Sequence, residues 1–585
     1  MIKLRILIND RNYNKWSLQD PEANVEIPID IPDFNPIDRR LFSNDIFEIS
    51  DLDKESNFRL LTSSIRGQNV VHAGVLQLEG GKTYGRTENK KRLLYQCIPD
   101  DIRLPTFLVP YEPKIGFEKK MKNKFVVFRF DSWIDKHPRG ILVETLGDVD
   151  ALEAFYEYQL YCKSLHISIN DLTSQTKSAL NQKSHQEFIQ QIIKNPDFSI
   201  QDRKKDHIFT IDPPTSLDFD DGFSITRLYN GRRQISVYIA NVAIWLEILG
   251  LWKSFSQRVA TIYLPDRRRP MLPTILSDAL CSLQEGQLRF AFVMDVLLEE
   301  DGSIVKNDIG DDDITFSNAV IQVHKNYRYE EDQLYSDSCY RDLLEITRRR
   351  DRSVENSHDV VAHWMIEMNS ICSRKFMTKK SGIFRSVSFL QGPDVEFGSK
   401  VSADCRRVVQ MWKNTSGHYL VYSDDISQFE HKILDLRSYV HITSPIRRLV
   451  DLLNQMDFSM LFTKTRFSKD ALDFIKGWIS KMDYINQAMR SIRKIQNECD
   501  LLYKCSTNPD ILKMSYTGFI FDKLIKNDGS VYCMVYLEKL NLISKIILSK
   551  DVVENHSYRD FNLFLFEDED KTKKKIRLHL HNSST

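Results

Sequence analysis

The chain has 585 residues, of which 42% are hydrophobic and 11% aromatic, a composition that describes several well-cored domains and excludes a disordered protein. Lys plus Arg and Asp plus Glu each number 81, so net charge argues neither for nor against a nucleic-acid partner. No apolar run reaches the length of a membrane span, the N-terminus does not read as a signal peptide, and nine cysteines without a CxxC pair suggest neither a disulfide framework nor a zinc site.

In chain order, residues 1–55 read as an N-terminal arm or a divergent partial barrel, with a proline-punctuated acidic segment from Ile27 to Pro36. Residues 56–162 turn to β. Val71–Gly81 ends in a Gly-Gly turn, and Phe125–Phe130 and Gly140–Glu144 are joined by the turn Lys136–Gly140. Short strands at this spacing predict a small barrel of the OB type, a class that binds single-stranded nucleic acid. Phe128, Phe130 and Trp133 could stack on bases, but aromatics at alternate strand positions are more often core, and core is the favoured reading. The apolar stripe Leu152, Phe155, Tyr156 and Leu160 predicts a helix, and residues 163–200 read as a helical connector.

The stretch Thr210–Gly222 holds four carboxylates, Asp212, Asp218, Asp220 and Asp221. Phe209 and Ile211 before them, and Phe223 and Ile225 after them, have the period-two spacing of half-buried strands. Carboxylates crowded beside a core repel, so protons or cations must compensate, and oxygen ligands of this kind suit Mg²⁺. A structural Ca²⁺ loop fits poorly because Gly222 stands where a ligand is needed. An acidic turn remains open, and a catalytic metal site is favoured over both.

Further on, Ile235–Ala240 and Arg289–Val296 read as strands, and Leu276–Leu283 as a compact helix-compatible segment. Beyond Tyr335 the chain reads largely helical. At Ser444-Pro445 a hydroxyl N-cap followed by proline predicts a helix start, which would put Arg447 and Arg448 in a first turn ready to meet a phosphate. A salt-bridged structural role is the competing reading. Gly518–Phe521 and Ser530–Tyr536 flank Asn527-Asp528-Gly529, a hairpin turn that predicts a second small barrel near the C-terminus. Basic runs at Lys119–Lys124, Arg348–Arg352 and Lys573–Arg577 are more often solvated faces than binding sites.

The aspartate stretch, the block Tyr263, Pro270–Pro273 and Leu276–Leu283, and the segment His441–Arg448 together resemble, in order and spacing, the ribonuclease II superfamily, which includes ribonuclease R and the exosome catalytic subunit. Arg139–Asp148 is similar to the end of that family's second cold-shock barrel. The resemblance implies a multidomain α+β protein. Its central mixed α/β RNB catalytic domain would span 201–508, flanked by small OB-type β-barrels: a cold-shock barrel over 56–162 and an S1-type barrel with a polar tail over 512–585.

It further implies hydrolytic, processive 3′→5′ degradation of single-stranded RNA to nucleoside 5′-monophosphates, using two Mg²⁺ for which Mn²⁺ can substitute. Asp212, Asp218, Asp220 and Asp221 would hold the metal, Asp220 and Arg447 would be catalytic, and Tyr263, Tyr329 and Arg448 would contact RNA. The expected partner is single-stranded RNA and no membrane, with the protein monomeric on its own and an exosome-like assembly left open. The compartment would be intracellular, cytoplasmic or nuclear.

The chain departs from the family where Ala362-His363 replaces paired glutamates, where Leu449 replaces an aromatic, and where Gln455-Met456 replaces His-Arg. These changes touch substrate grip more than metal binding. The alternatives are a catalytically impaired RNA-binding protein that keeps the fold, against which the intact aspartates and Arg447 argue, and a metal phosphohydrolase acting on DNA or a small nucleotide.

Overall fold

The structure, a computed structural model, describes residues 2–27, 34–49, 58–87, 91–112, 121–228, 231–308, 310–387, 401–412, 417–526 and 528–581. The chain divides into two compact units. One comprises Met1–His166, Leu264–Asp266 and Lys494–Thr585, and the other Ile167–Tyr263 and Arg267–Arg493.

The first unit is mainly β. Leu4, Ile6 and Ile8 alternate with polar or half-buried neighbours along Ile2–Ile8, which pairs with Trp16–Gln19 on one side and Ile46–Ile49 on the other. With Phe58–Thr62 these make a four-stranded antiparallel sheet. Five further strands, His72–Leu76, Leu93–Pro99, Phe107–Tyr111, Lys124–Ser132 and Arg139–Asp148, close into a barrel. Phe128 and Trp133 are buried in the core that this barrel shares with the N-terminal sheet, and Phe130 packs against its margin, so the core reading of the aromatics holds. Gly140 lies so close to Phe128 and Val109 that an added Cβ would stand 2.9 Å and 3.2 Å from their side chains, which is why a residue without one occupies the barrel there.

The C-terminal strands Ser515–Ile525, Val531–Leu537, Leu542–Leu548, Tyr558–Glu567 and Lys574–Leu580 form a five-stranded antiparallel sheet. Its outer strands share no ladder among the described residues, so this sheet, expected to be a second small barrel, does not close as the one at His72–Asp148 does. Asn527 of the expected hairpin turn, part of the Ile27–Pro36 segment, and Lys119 and Lys120 of the first basic run lie outside the described residues.

The second unit is built on a mixed sheet ordered Ile200–Asp202, Ile314–Arg328, Ile208–Asp212, Asp221–Arg227, Arg233–Ala240, Leu288–Leu298, with the last strand also pairing with Ile314–Arg328 so that the sheet curls back on itself. Phe209, Ile211, Phe223 and Ile225 enter one large core, where they meet Trp364, Met368 and Phe376 of the helix Ser357–Lys379 and Phe458 of the helix Leu449–Phe462. Burying aliphatic and aromatic side chains of this size contributes about 1.5–3 kcal/mol each. Asn356 and Asp359 close the N-terminus of the long helix as a reciprocal capping box. The Arg348–Arg350 run ends the helix Ser338–Arg350. Its guanidinium groups donate to the carbonyls of Val354, Glu355, Glu300 and Gly302 and pair with Glu345 and Glu367, so the run serves the fold.

Candidate active site

The strand Ile208–Asp212 ends on one aspartate and the strand Asp221–Arg227 begins on another, so the connection between them carries Asp218 and Asp220. That connection is pinned from below. Ser282 Oγ accepts the Phe219 N–H at 3.0 Å and donates to the Leu217 carbonyl at 2.9 Å, while the Leu283 N–H donates to the Phe219 carbonyl at 3.0 Å. Ser282 follows a π-helical turn, Ile275–Leu280, an irregular geometry often found beside functional sites. Sequence reasoning marked this block but missed the serine's part, because its two partners lie more than sixty positions away in the chain.

The four aspartates line a cleft of about 820 Å³ with Tyr263, Tyr329, Asn369, His441, Arg447 and Arg448. Every site residue expected from the sequence is therefore brought to one place. Asp220 is buried: its Oδ1 accepts the Ile446 N–H at 3.0 Å and its Oδ2 accepts Arg447 Nε at 3.2 Å. Asp218 accepts from Arg268 at 2.9 Å and from the Tyr263 hydroxyl at 3.3 Å. Asp212 is buried and its Oδ2 has no hydrogen-bond partner.

Burial above all raises Asp220, to about 7, against the opposing pull of Arg447. Asp212 is raised by burial and by the charge of Asp221, and Asp221 itself is raised by burial. An orphaned carboxylate oxygen among acids that resist ionisation together is a donor set short of positive charge. Hard divalent cations match its all-oxygen chemistry.

The segment carrying Arg447 departs from the expected helix start. The Ser444 N–H is taken by Asp451 Oδ1 at 2.8 Å, and a single turn closes through the Arg448 N–H to the Ser444 carbonyl at 3.0 Å. Arg448 is then extended, at φ −136° and ψ 126°, and bridges to Ala260, so the helix begins only at Leu449. Long-range pairing with residues 259–261 overrides the local Ser-Pro signal: Thr261 N–H donates to Arg447 O and Leu449 N–H to Val259 O, both at 2.9 Å. The turn aims the Ile446 N–H and Arg447 Nε at Asp220. Arg447 Nη2 also donates to Ser444 Oγ at 2.9 Å, and the side chain is 44% exposed on the cleft. Arg448 is held instead by the fully buried Asp451 at 2.8 Å.

Tyr329 donates its N–H to the Asp212 carbonyl at 3.1 Å and stacks on His358 at 3.6 Å, leaving its other face for the cleft. His363, one of the family departures, does not line the cleft. It lies 3.7 Å from Asp351 and edge-on to Trp364, and the helix shows the cleft Val361, Met365 and Asn369. Leu449 is core, and the Gln455 amide donates to the Ala240 carbonyl at 3.1 Å.

Among the described residues, the metal-type donors that gather within 4.8 Å of one another are His207, Asp337 and Cys339, not the aspartates. Asp337 is already satisfied by protein donors: the Cys339 and Tyr340 N–H groups, the Tyr327 hydroxyl and His207. That cluster is a helix cap with a half-buried hydrogen-bond network.

Residues 200–342 match the RNB domain, and residues 94–158 match the Dis3-like cold-shock domain 2 (CSD2). The chain thus carries a segment that matches the RNB domain. It is 27% identical over 267 residues to the DIS3-like exonuclease 2 of Schizosaccharomyces pombe, a match covering 43% of this chain and 28% of that one. The match thus spans well under half the length of that relative. Among solved structures the chain resembles RNase R of Mycoplasma genitalium in complex with ribose-methylated single-stranded RNA, with a TM-score of 0.67 and 17% identity over 99% of this chain and 100% of that one. It also resembles yeast Ssd1, a pseudonuclease, with a TM-score of 0.57 and 14% identity over 96% and 80% of the two chains. The expected kinship with the ribonuclease II superfamily and the mixed α/β fold with a cold-shock module are borne out. Among the described residues, no helix is long and apolar enough to cross a membrane.

Proposed function

We propose that the protein is a hydrolytic, processive 3′→5′ exoribonuclease that degrades single-stranded RNA to nucleoside 5′-monophosphates. The observation that carries this is the junction of Asp220 with Arg447 inside a cleft holding three further aspartates. Asp212, Asp218, Asp220 and Asp221 would hold two Mg²⁺, which when bound supply charge for activating water and for stabilising the departing 3′ oxygen. Arg447 would stabilise charge on the phosphate, because its Nε is fixed by Asp220 and its Nη2 by Ser444 while the side chain stays open to the cleft. Tyr263, exposed by 41%, and Tyr329 would stack on bases near the 3′ end. Arg448 would act on RNA chiefly by shaping the turn that presents Arg447. The catalytic domain at 201–508 and the S1-type segment at 512–585 belong to the same proposal.

A second reading, an RNA-binding protein without turnover, is favoured by the apolar Val361 and Met365 on the cleft wall near the replaced glutamates. The fold also occurs in a pseudonuclease. End-labelled single-stranded RNA incubated with Mg²⁺ separates the readings. Mononucleotides released with Mg²⁺ and not with EDTA support the nuclease; RNA retained without product supports the binder. Equal hydrolysis of the matching DNA would favour a general phosphodiesterase, since ribose selectivity depends on the 2′-OH.

A further inference from the structure

Beside the cleft wall lies a group of arginines that the proposed chemistry does not use. Arg385 sits on the strand Ile383–Ser386, directly opposite Tyr419 of the strand His418–Val421. Its guanidinium lies over the Tyr419 ring at 4.9 Å, and on another side an added Cβ at Gly417 would come within 2.6 Å of it. A glycine at 417 is thus required for Arg385 to lie flat against the backbone. Only 8% of the residue is exposed, yet among the described residues no carboxylate pairs with it.

Two more arginines approach from the helix Met482–Thr507. Asn486 clamps that helix to the strand, accepting the Tyr419 N–H at 2.7 Å and donating to the Tyr419 carbonyl at 2.9 Å. Arg490 and Arg493 follow Asn486 by four and seven residues, on the same helical face, and both are exposed. Neither has a carboxylate partner among the described residues. Burial above all lowers the pKa of both Arg385 and His418, and the nearby charges add to it, Arg493 on Arg385 and Arg490 on His418. The nearby buried carboxylate, Asp451, is already committed to Arg448 and the Ser444 N–H.

A nearly buried guanidinium that faces further cations and, among the described residues, no paired carboxylate is costly to the fold on its own. Stacked on an aromatic ring, it is a rigid fork suited to two phosphate oxygens. The Arg385 N–H donates to the Tyr439 carbonyl at 2.7 Å, and the Tyr419 hydroxyl meets His441 Nδ1 at 2.8 Å. Tyr439 and His441 both line the cleft, so the cluster stands immediately behind its wall. We propose that Arg385, Arg490 and Arg493 form a second phosphate-binding subsite, which holds the backbone of a single-stranded RNA beside the catalytic cleft. This rests on the exoribonuclease reading for the identity of the strand, though not for the existence of an anion site.

The test is binding of a fluorescent single-stranded RNA to the full chain, by anisotropy across a range of KCl, in EDTA so that the strand survives. Arg490→Gln/Arg493→Gln, on an exposed face, is compared with Arg385→Gln and the charge-keeping Arg385→Lys. Each charge-removing variant should bind about tenfold more weakly near physiological salt, with the slope of log affinity against log salt reduced by ~0.7 for every phosphate no longer neutralised. Arg385→Lys should keep the slope while giving up part of the affinity. Wild-type affinity and slope in Arg490→Gln/Arg493→Gln would overturn the subsite, whether or not Arg385→Gln folds. So would weaker binding with an unchanged slope, which marks a structural role. The two proposals fail separately: a wild type that binds with the full slope but releases no nucleotide defeats the nuclease and leaves the subsite standing.

Discussion

Asp220 and Arg447 lie 227 positions apart in the chain and meet through a 3.2 Å hydrogen bond from Nε to Oδ2. The same carboxylate accepts the Ile446 N–H, so one acid fixes both the backbone turn and the guanidinium that it presents. Lysine cannot reproduce this, because a point charge has no separate Nε to hold Asp220 while Nη2 holds Ser444. Arg447→Lys should therefore keep RNA affinity within about twofold and lower single-turnover cleavage by about 10²–10³-fold, a loss of ~3–4 kcal/mol of charge stabilisation. Rapid-quench kinetics with saturating enzyme checks this; wild-type cleavage rates in the variant would remove Arg447 from the chemistry.

The raised aspartates make stability depend on pH in a definite direction. Asp220 is held near 7 in the folded chain, above the ordinary value of 3.8, so between those limits the folded state keeps a proton that the unfolded state has released. Its contribution to stability is therefore present at low pH and lost as pH rises toward 7. In EDTA the metal-free protein should be less stable than Asp220→Asn at pH 8, by ~1–4 kcal/mol, and the difference should vanish near pH 4. Mg²⁺ should raise the wild-type unfolding temperature at pH 8 and lose that effect as the carboxylates protonate. Calorimetry of both proteins at the two pH values decides it. A variant less stable than wild type at pH 8 would reverse the sign.

The parts of the site that were legible in the sequence share one property: their signal is local. Phe209, Ile211, Phe223 and Ile225 announce two strands by period alone, and the aspartates between them announce a crowd of carboxylates beside the core. The barrel aromatics Phe128 and Trp133 were legible for the same reason. Ser444-Pro445 misled because its N–H partner is Asp451 and its strand-like exit pairs with Ala260, neither of which a local pattern contains. Ser282, Asn369 and Arg385 left no local trace; a serine bracing a loop, or an arginine over a tyrosine, exists only once distant segments meet.

Asn454 is another residue of that kind. It is fully buried, accepts the Ile383 N–H at 2.8 Å, and donates at 2.9 Å to the carbonyls of Ile383 and His441. It thereby ties the strand beginning at Ile383 to the segment that leads into Arg447. Asn454→Ala would orphan a buried N–H and two buried carbonyls, at a cost of roughly 2–4 kcal/mol. Urea denaturation should show the midpoint fall with the m-value unchanged, and Asn454→Asp, which loses the donors, should do no better. An alanine variant within 0.5 kcal/mol of wild type, on the order expected for a surface change, would mean that the three bonds are replaced by water.

Tyr263 separates the two uses of an aromatic side chain. Its hydroxyl makes a 3.3 Å contact with Asp218, whose carboxylate Arg268 already holds at 2.9 Å, while the residue is 41% exposed and lines the cleft. If the ring is a stacking platform, Tyr263→Phe should bind single-stranded RNA as wild type does. Tyr263→Ala should lose ~1–3 kcal/mol of binding, the worth of one stacked base. The loss should not depend on salt, because stacking releases no counterions, whereas the arginine variants change the salt slope. Anisotropy titrations at two ionic strengths measure both quantities in one experiment. A phenylalanine variant as weak as the alanine would transfer the role from the ring to the hydroxyl and its hold on Asp218.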